Sequence, residues 1–357
     1  MVAYQLAERA SRAGSPYDML VRTGGENAEH RFLDMDGRAW RFHILPCAVA
    51  DAETRAHAMC FLPNGMTFSI GGLRREMEHF DNIPGGPPSV FVGPNAAIIL
   101  PEYVEEGMAA ANERGSTFLG VGATMARKVR RHGFKVAKDY EEELINIGVE
   151  AITANSFLPD IYEREKSFDG CPGKPPCNVL LEASQGAMLS LDHGQYPFCT
   201  SRNVTAPAAV ADAGLRWDAI RDVWMVVKVI PSRVPGPSGP SSGKELTWEE
   251  ACNRAGRPQE AIRQTEMDKG VGTGGMLERP FEFSWFELEY AVALNAPTKM
   301  AVTFIDWLNY EDLGVTTRSL LSLYSREFIR RVERKTGVRV GLIRTGPRAQ
   351  DCIWEGE

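Results

Sequence analysis

Residues 180–206, LLEASQGAMLSLDHGQYPFCTSRNVTA, bring an amide (Gln185), a carboxylate (Asp192), an imidazole (His193) and a hydroxyl pair (Thr200, Ser201) into one stretch. It is too polar for a core and too ordered for a linker, so it reads as a ligand cradle. The apolar run Val179, Leu180, Leu181 predicts a buried strand delivering Gln185 and Gly186 at its carboxyl end, where open α/β sheets bind their ligands. Hydroxyls and amides ahead of a small-residue helix starting near Ala206 suit a phosphate. Gln185 can donate and accept together, which fits a base or ribose. Asp192 and His193 are adjacent and point to opposite faces of an extended segment, so structural or supporting roles are expected.

The pattern Glu-x-x-Gln-Gly, then Asp-His-Gly-x-Tyr-Pro-Phe and Thr-Ser-Arg-Asn, closely resembles the nucleotide-monophosphate loop of the adenylosuccinate synthetase family. Further matches follow in family order. Gly24-Gly25-Glu26-Asn27-Ala28-Glu29-His30 resembles the family's Gly-Gly-x-Asn-Ala-Gly-His; Asn64-Gly65, the Thr117/Gly120/Gly122 segment and residues 128–133 come next; Ser232-Arg233-Val234 is similar to a Thr-Arg-Val ribose contact. Thr303-Phe304-Ile305-Asp306 stands where the family binds the triphosphate's base, and Gly346-Pro347 closes that pocket.

The resemblance implies a fold, a reaction and a site. The fold is α/β, a large central mixed, mainly parallel sheet flanked by helices, P-loop-like, with residues 1–357 forming a single adenylosuccinate-synthetase-like domain. In the implied two-step ligation a nucleoside triphosphate phosphorylates the purine 6-oxygen, and the amine of L-aspartate then displaces that phosphate. His30 inherits the catalytic acid's position; an imidazole of pKa near 6.5 is readily protonated close to neutral pH. Asn27, Thr117, Arg131, Gln185, Thr200 and Val234 inherit contacts to the substrate nucleotide, Asp306, Gly346 and Pro347 the triphosphate's base, and Thr273 and Arg279 the aspartate. Mg2+ and ATP or GTP are the implied cofactor and co-substrate, with metal ligands unassigned. Arg127, Lys128, Arg130, Arg131, His132 and Lys135 form the densest basic cluster. Such a run is ordinarily a solvated helix face, but the resemblance has Arg131 reach the partner subunit's nucleotide phosphate across a homodimer.

Four departures from the family pattern stand out. Family members open with a strand and a glycine-rich phosphate loop, whereas this sequence starts inside the first helix, so a truncated or miscalled start is expected. Phe304 replaces the lysine that accompanies Asp306, and residues 270–281 retain only Thr273 and Arg279 as aspartate ligands. Glu29 stands where the family has a glycine. These departures, with Cys-Thr-Ser-Arg-Asn in the phosphate loop and residues 245–250, are closer to the family's phage branch, which joins aspartate to dGMP with ATP to give an N6-succino-2-amino-deoxyadenylate. The alternatives are the ordinary synthetase using IMP and GTP, and a catalytically impaired nucleotide-binding homologue.

The elements that must position these groups alternate between helix and strand. Helices are predicted over 2–12, 101–114, 124–132, 139–152 and 316–335, with capping boxes at Thr247-x-x-Glu250 and Ser284-x-x-Glu287 opening two more. Strands are predicted at 20–22, at the alternating Trp40, Phe42, Ile44, and at 178–182, 224–230 and 338–343. The Pro, Gly and Ser-rich segment 231–245 reads as an exposed or substrate-covering loop within one domain. Lys and Arg total 40 against 47 for Asp and Glu, a net charge of −7, the wrong sign for gripping nucleic acid through a general field. Seven scattered cysteines fit reduced thiols in a cytoplasmic protein. Cys171 and Cys177 lack the spacing and nearby histidines of a zinc site. No run is long and apolar enough to predict a membrane span.

Overall fold

The computed structural model describes residues 1–111, 119–152, 178–258 and 278–355. Five strands form a parallel sheet in the order Val149–Ile152, Val90–Val92, Met59–Leu62, Met19–Arg22, Val179–Glu182. Four more form a second sheet in the order Trp224–Lys228, Lys299–Thr303, Val340–Arg344, Cys352–Trp354, parallel except for the last pair. The α/β class with a mainly parallel sheet is as the sequence implies, but its strands divide between three two-stranded pairs and these two sheets. Their facing edges, Val179–Glu182 and Trp224–Lys228, line one cleft of about 1670 Å³. Asn27, His30, Gln185, Val234, Asp306, Gly346 and Pro347 of the expected site residues lie along it.

Each sheet has its own core. Around the first, Trp40, Phe42 and Phe80 stack with ring centroids 5.2–6.2 Å apart, over Leu62, Phe68 and Leu73, all buried. Around the second, Met300, Val302, Val340 and Ile343 pack with Phe328, Ile329 and Val332 of the helix Leu323–Thr336. The i, i+3, i+4, i+7 spacing of Ser325, Phe328, Ile329 and Val332 puts all four on that helix's buried face.

Helix starts follow side-chain chemistry. Ser69, Thr205, Thr247, Ser284 and Ser322 each cap a helix by accepting from a backbone amide of its first turn, and Thr247 with Glu250 completes the expected box. The hairpin His30–Leu33 with Ala39–Phe42 is tied by Asp34, which accepts from the amides of Asp36 (3.0 Å) and Arg38 (2.8 Å) and from Trp40 Nε1 (2.7 Å).

Two predicted helices change. The predicted helix 139–152 is a short turn at Ala137–Tyr140, a helix at Glu141–Ile145 and the strand Val149–Ile152. Gly148, at φ 93°, ends the helical run, and pairing with Val90–Val92 claims the rest. The predicted helix 316–335 begins only at Leu323, because Ser322 caps it and Arg318–Leu320 forms a separate turn. The loop 231–245 is folded back on the chain. Ser232–Arg233 pairs with Arg279–Pro280, and Arg233 donates to the carbonyls of Phe198 (2.6 Å), Ser238 (2.8 Å) and Pro240 (2.9 Å).

Candidate functional site

The cleft's first group grows from two neighbouring strand ends. Met19–Arg22 and Val179–Glu182 pair with Arg22 opposite Glu182. Arg22 is fully buried and Glu182 is 7% exposed, and their side chains form an ion pair. The hairpin sets His30 against this pair, its Nδ1 2.5 Å from Glu182 Oε1 and 2.7 Å from Arg22 Nη1. The Cys47 amide donates to Glu182 Oε2 at 2.7 Å. Burial pushes the Glu182 carboxyl up, but Arg22 and His30 together outweigh it and hold it well below the usual carboxylate range.

Burial first, and Arg22 second, hold the His30 imidazole down to about 4, against the pull of Glu182. The sequence expectation of a ring readily protonated near neutral pH is therefore corrected: in the free protein His30 is neutral. Its shortest contact is to an anionic oxygen, so we assign the proton to Nδ1, donated to Glu182, since the other tautomer would set a lone pair against the carboxylate. Nε2 makes no hydrogen bond to a described residue, and a quarter of the side chain is exposed.

His30, Cys47 and Glu182 also form the one cluster of three metal-ligating side chains among the described residues. It does not suit magnesium, which demands oxygen ligands. Burial pushes the Cys47 thiol up to about 12, and the Arg22 cation already occupies the carboxylate.

The second group is the loop expected to cradle a monophosphate. Gly24 has φ 122°, and a Cβ there would fall 2.1 Å from Ser184 Oγ, so only glycine lets these two strand exits lie together. Gln185 itself adopts a left-handed conformation, φ 67°. That backbone costs a non-glycine residue on the order of 1–3 kcal/mol and marks positions held for function. Gln185 Nε2 donates to Thr200 Oγ1 at 3.3 Å. Asn27, His30, Gln185 and Val234 line the cleft, so the four residues Asn27, His30, Gln185 and Thr200 are brought together, Thr200 through its bond to Gln185. Asp192 and Asn203 exchange bonds of 2.7 and 3.0 Å, the structural role expected. The helix Ala206–Ala213 starts where predicted, but its amides are partly taken: Thr205 accepts from Ala208 N, and Asn295 from Ala206 N at 2.7 Å. Those amides are therefore less free for a phosphate than the sequence implied.

The third group surrounds Asp306, at the end of the strand Lys299–Thr303. Phe304, φ 66°, turns the chain there, and Asp306, Gly346 and Pro347 line the cleft together. The carboxylate expected to face a base is already engaged, for Arg257 Nη1 lies 2.6 Å from Asp306 Oδ2. The same guanidinium lies over Trp307 (4.2 Å) and Tyr310 (4.9 Å).

The remaining expected residues lie elsewhere. Arg131 caps the helix Val121–Arg130 in left-handed backbone, exposed and away from the cleft. Lys128 is structural, donating to the carbonyls of Asn64 (2.8 Å) and Asn95 (2.6 Å). Arg279, expected to bind the aspartate, is ion-paired to Glu245 and donates to Gly239 O at 2.9 Å and Ser238 Oγ at 3.2 Å, holding the 231–245 loop. Glu29 turns its carboxylate to Arg31, Arg41 and His43. Thr117, Thr273 and the Cys171–Cys177 loop lie outside the described residues. Sequence reasoning gave no role to Arg22, Glu182 or Arg257. A charged residue ending each of two apolar runs, Arg22 after Met19-Leu20-Val21 and Glu182 after Val179-Leu180-Leu181, was the available signal for the first two.

Comparison with known proteins identifies relatives of this chain. The adenylosuccinate synthetase family model matches residues 13–169 and 174–318. The adenylosuccinate synthetase of Thermococcus onnurineus is 30% identical over 343 residues, spanning 94% of this chain and 89% of that protein. That of Pyrococcus sp. is 30% identical over 344 residues, spanning 94% and 90%. Two solved structures share the fold. One is the cyanophage S-2L succinoaminodeoxyadenylate synthetase bound to dGMP and to dATP as energy donor, with TM-score 0.74, 22% identity and coverage of 99% of this chain and 92% of that one. The other is the fully ligated adenylosuccinate synthetase of Plasmodium falciparum, with TM-score 0.75, 16% identity and coverage of 99% and 96%.

Proposed function

This chain belongs to the adenylosuccinate synthetase family and is a carbon–nitrogen ligase, and from that premise we propose that it condenses L-aspartate with the 6-oxo position of dGMP at the expense of ATP. The observation that carries the site is that Asn27, His30 and Gln185 line one cleft, with Thr200 hydrogen-bonded to Gln185. In this reading the monophosphate's base lies against Asn27 and Gln185, its phosphate meets Thr200, and its six-position faces Nε2 of His30. As the 6-oxygen gains negative charge, a proton on Nε2 becomes favourable, and Glu182 behind Nδ1 supports the resulting imidazolium. Once the 6-oxygen has taken the γ-phosphoryl group and ADP has left, the aspartate amine forms the bond to carbon 6 as the bond from carbon 6 to oxygen breaks; phosphate departs with a proton from His30 Nε2, and the amine gives up its proton to water. Val234 contacts the ribose, and Asp306, Gly346 and Pro347 receive the triphosphate's base. Mg2+ accompanies the triphosphate and would offset its charge when bound.

The choice of dGMP with ATP is supported by the departures at Phe304 and residues 270–281, and by the likeness to a phage enzyme that binds dGMP and dATP. We also read the chain as one domain acting in the cytoplasm as a homodimer, with Arg131 exposed to reach a partner's nucleotide. Among the described residues no helix is long and apolar enough to cross a membrane. Product formation with dGMP, ATP and aspartate, compared with IMP, GTP and aspartate, is the test. Faster turnover of the second set would overturn the substrate assignment and leave the ligase.

A further inference from the structure

We propose that Arg257 determines the base preference of the triphosphate pocket: by taking the Asp306 carboxylate, it removes a guanine-selective contact and leaves the pocket open to adenine. This rests on the reading that Asp306, Gly346 and Pro347 receive the triphosphate's base.

The pair is built in. The side chains of Arg257 and Asp306 are 9% and 6% exposed, and Nη1 reaches both Oδ2 (2.6 Å) and the Asp306 carbonyl (3.2 Å). Arg257 follows the helix Trp248–Ala255, and its own amide donates to Cys252 O at 2.9 Å, which fixes where the guanidinium starts. Its far end lies over the rings of Trp307 and Tyr310, at 4.2 and 4.9 Å from their centroids, which holds the guanidinium in place. Arg257 Nε is buried without a hydrogen-bond partner among the described residues, leaving a donor in a wall that also lines the cleft.

The donor and acceptor pattern decides the preference. A free carboxylate accepts two parallel N–H bonds, and guanine offers them side by side from N1–H and the 2-amino group. Adenine has no such pair, so an unpaired buried aspartate selects guanine. Here Oδ2 is already satisfied by Arg257, and a second guanine N–H would meet guanidinium donors instead of an acceptor. What is left beside the donors is one carboxylate oxygen, enough for the single amino group of adenine. The site thus loses guanine selection through an element that repels the competitor.

The test compares ATP with GTP as donors, and their equilibrium binding, in the wild-type chain, Arg257→Met and Arg257→Met/Asp306→Asn. The wild type is expected to use and bind ATP at least as well as GTP. Arg257→Met should raise the GTP-to-ATP ratio of kcat/KM and of affinity about tenfold, and adding Asp306→Asn should cancel the rise. A merely structural loss would lower both donors alike and leave the ratio unmoved. A wild type favouring GTP tenfold, or a ratio within twofold of wild type in Arg257→Met, would overturn the proposal alone. Failure of both nucleotides to bind would overturn the pocket reading and the proposal with it.

Discussion

Glu182→Gln isolates the charge at the centre of the cleft. The substitution preserves side-chain volume and one oxygen to accept from the Cys47 amide, which Glu182 Oε2 now accepts at 2.7 Å. What it removes is the partner of a fully buried guanidinium: Arg22 would keep the carbonyls of Ala28 at 3.3 Å and His43 at 3.5 Å and the neutral His30 ring at 2.7 Å, none of them an anion. Breaking a buried ion pair by removing one partner costs about 3–5 kcal/mol, because the surviving charge stays desolvated and uncompensated. Glu182→Gln is therefore expected to lower stability by about that much, read as the urea midpoint at unchanged m-value. Arg22→Met/Glu182→Leu, which removes both charges, should cost less than the sum of its two single substitutions. A Glu182→Gln protein within about 1 kcal/mol of wild type would refute the reasoning, since that is the level of an exposed pair.

Acid should destabilise the protein through the same cluster. His30 titrates at about 4 in the folded chain and at 6.5 when free, so between those values the unfolded chain binds a proton that the native ring does not, and stability falls as pH drops through that window. Glu182, depressed in the folded state, adds a loss of the same sign below its free value of 4.5. Wild type should lose about 2 kcal/mol more than His30→Asn between neutral pH and pH near 4.5 in urea titrations; equal losses would remove the assignment. Gln185→Gly relieves the left-handed backbone, so stability should hold or rise while dGMP affinity falls about tenfold with the lost amide. Unchanged affinity by calorimetry would count against Gln185 as a ligand. Arg131→Ala should leave the sedimentation state unaltered and weaken monophosphate binding about tenfold, the loss of one charge-assisted contact; a wild type that sediments as a monomer at saturating nucleotide would contradict a role in trans.

How far the site could be read in advance depended on what kind of contact each residue makes. Gln185 and Thr200 were legible because they stand on one continuous loop after an apolar run, and their union needs only local geometry. Asn27 and His30 were legible as a motif, but the state of the imidazole was not, since it depends on Arg22 and on Glu182, which is 152 residues away in sequence. The engagement of Asp306 was hidden for the same reason: Arg257 lies 49 positions earlier and meets it only after folding. The engagement of Arg279 by Glu245, 34 positions earlier, was hidden in the same way. In the fold, the helix Leu323–Thr336 announced its buried face by spacing, whereas Val149–Ile152 showed its strand character only through pairing with Val90–Val92.

The central claim is that a purine monophosphate sits with its six-position at His30. Titrating the six histidines by nitrogen-15 NMR, with His30→Asn to assign the signal, tests it without requiring turnover. Saturating dGMP should shift the His30 resonances and raise the ring's pKa from about 4 toward neutrality. His30 signals and titration that stay unmoved while dGMP is bound would contradict the account.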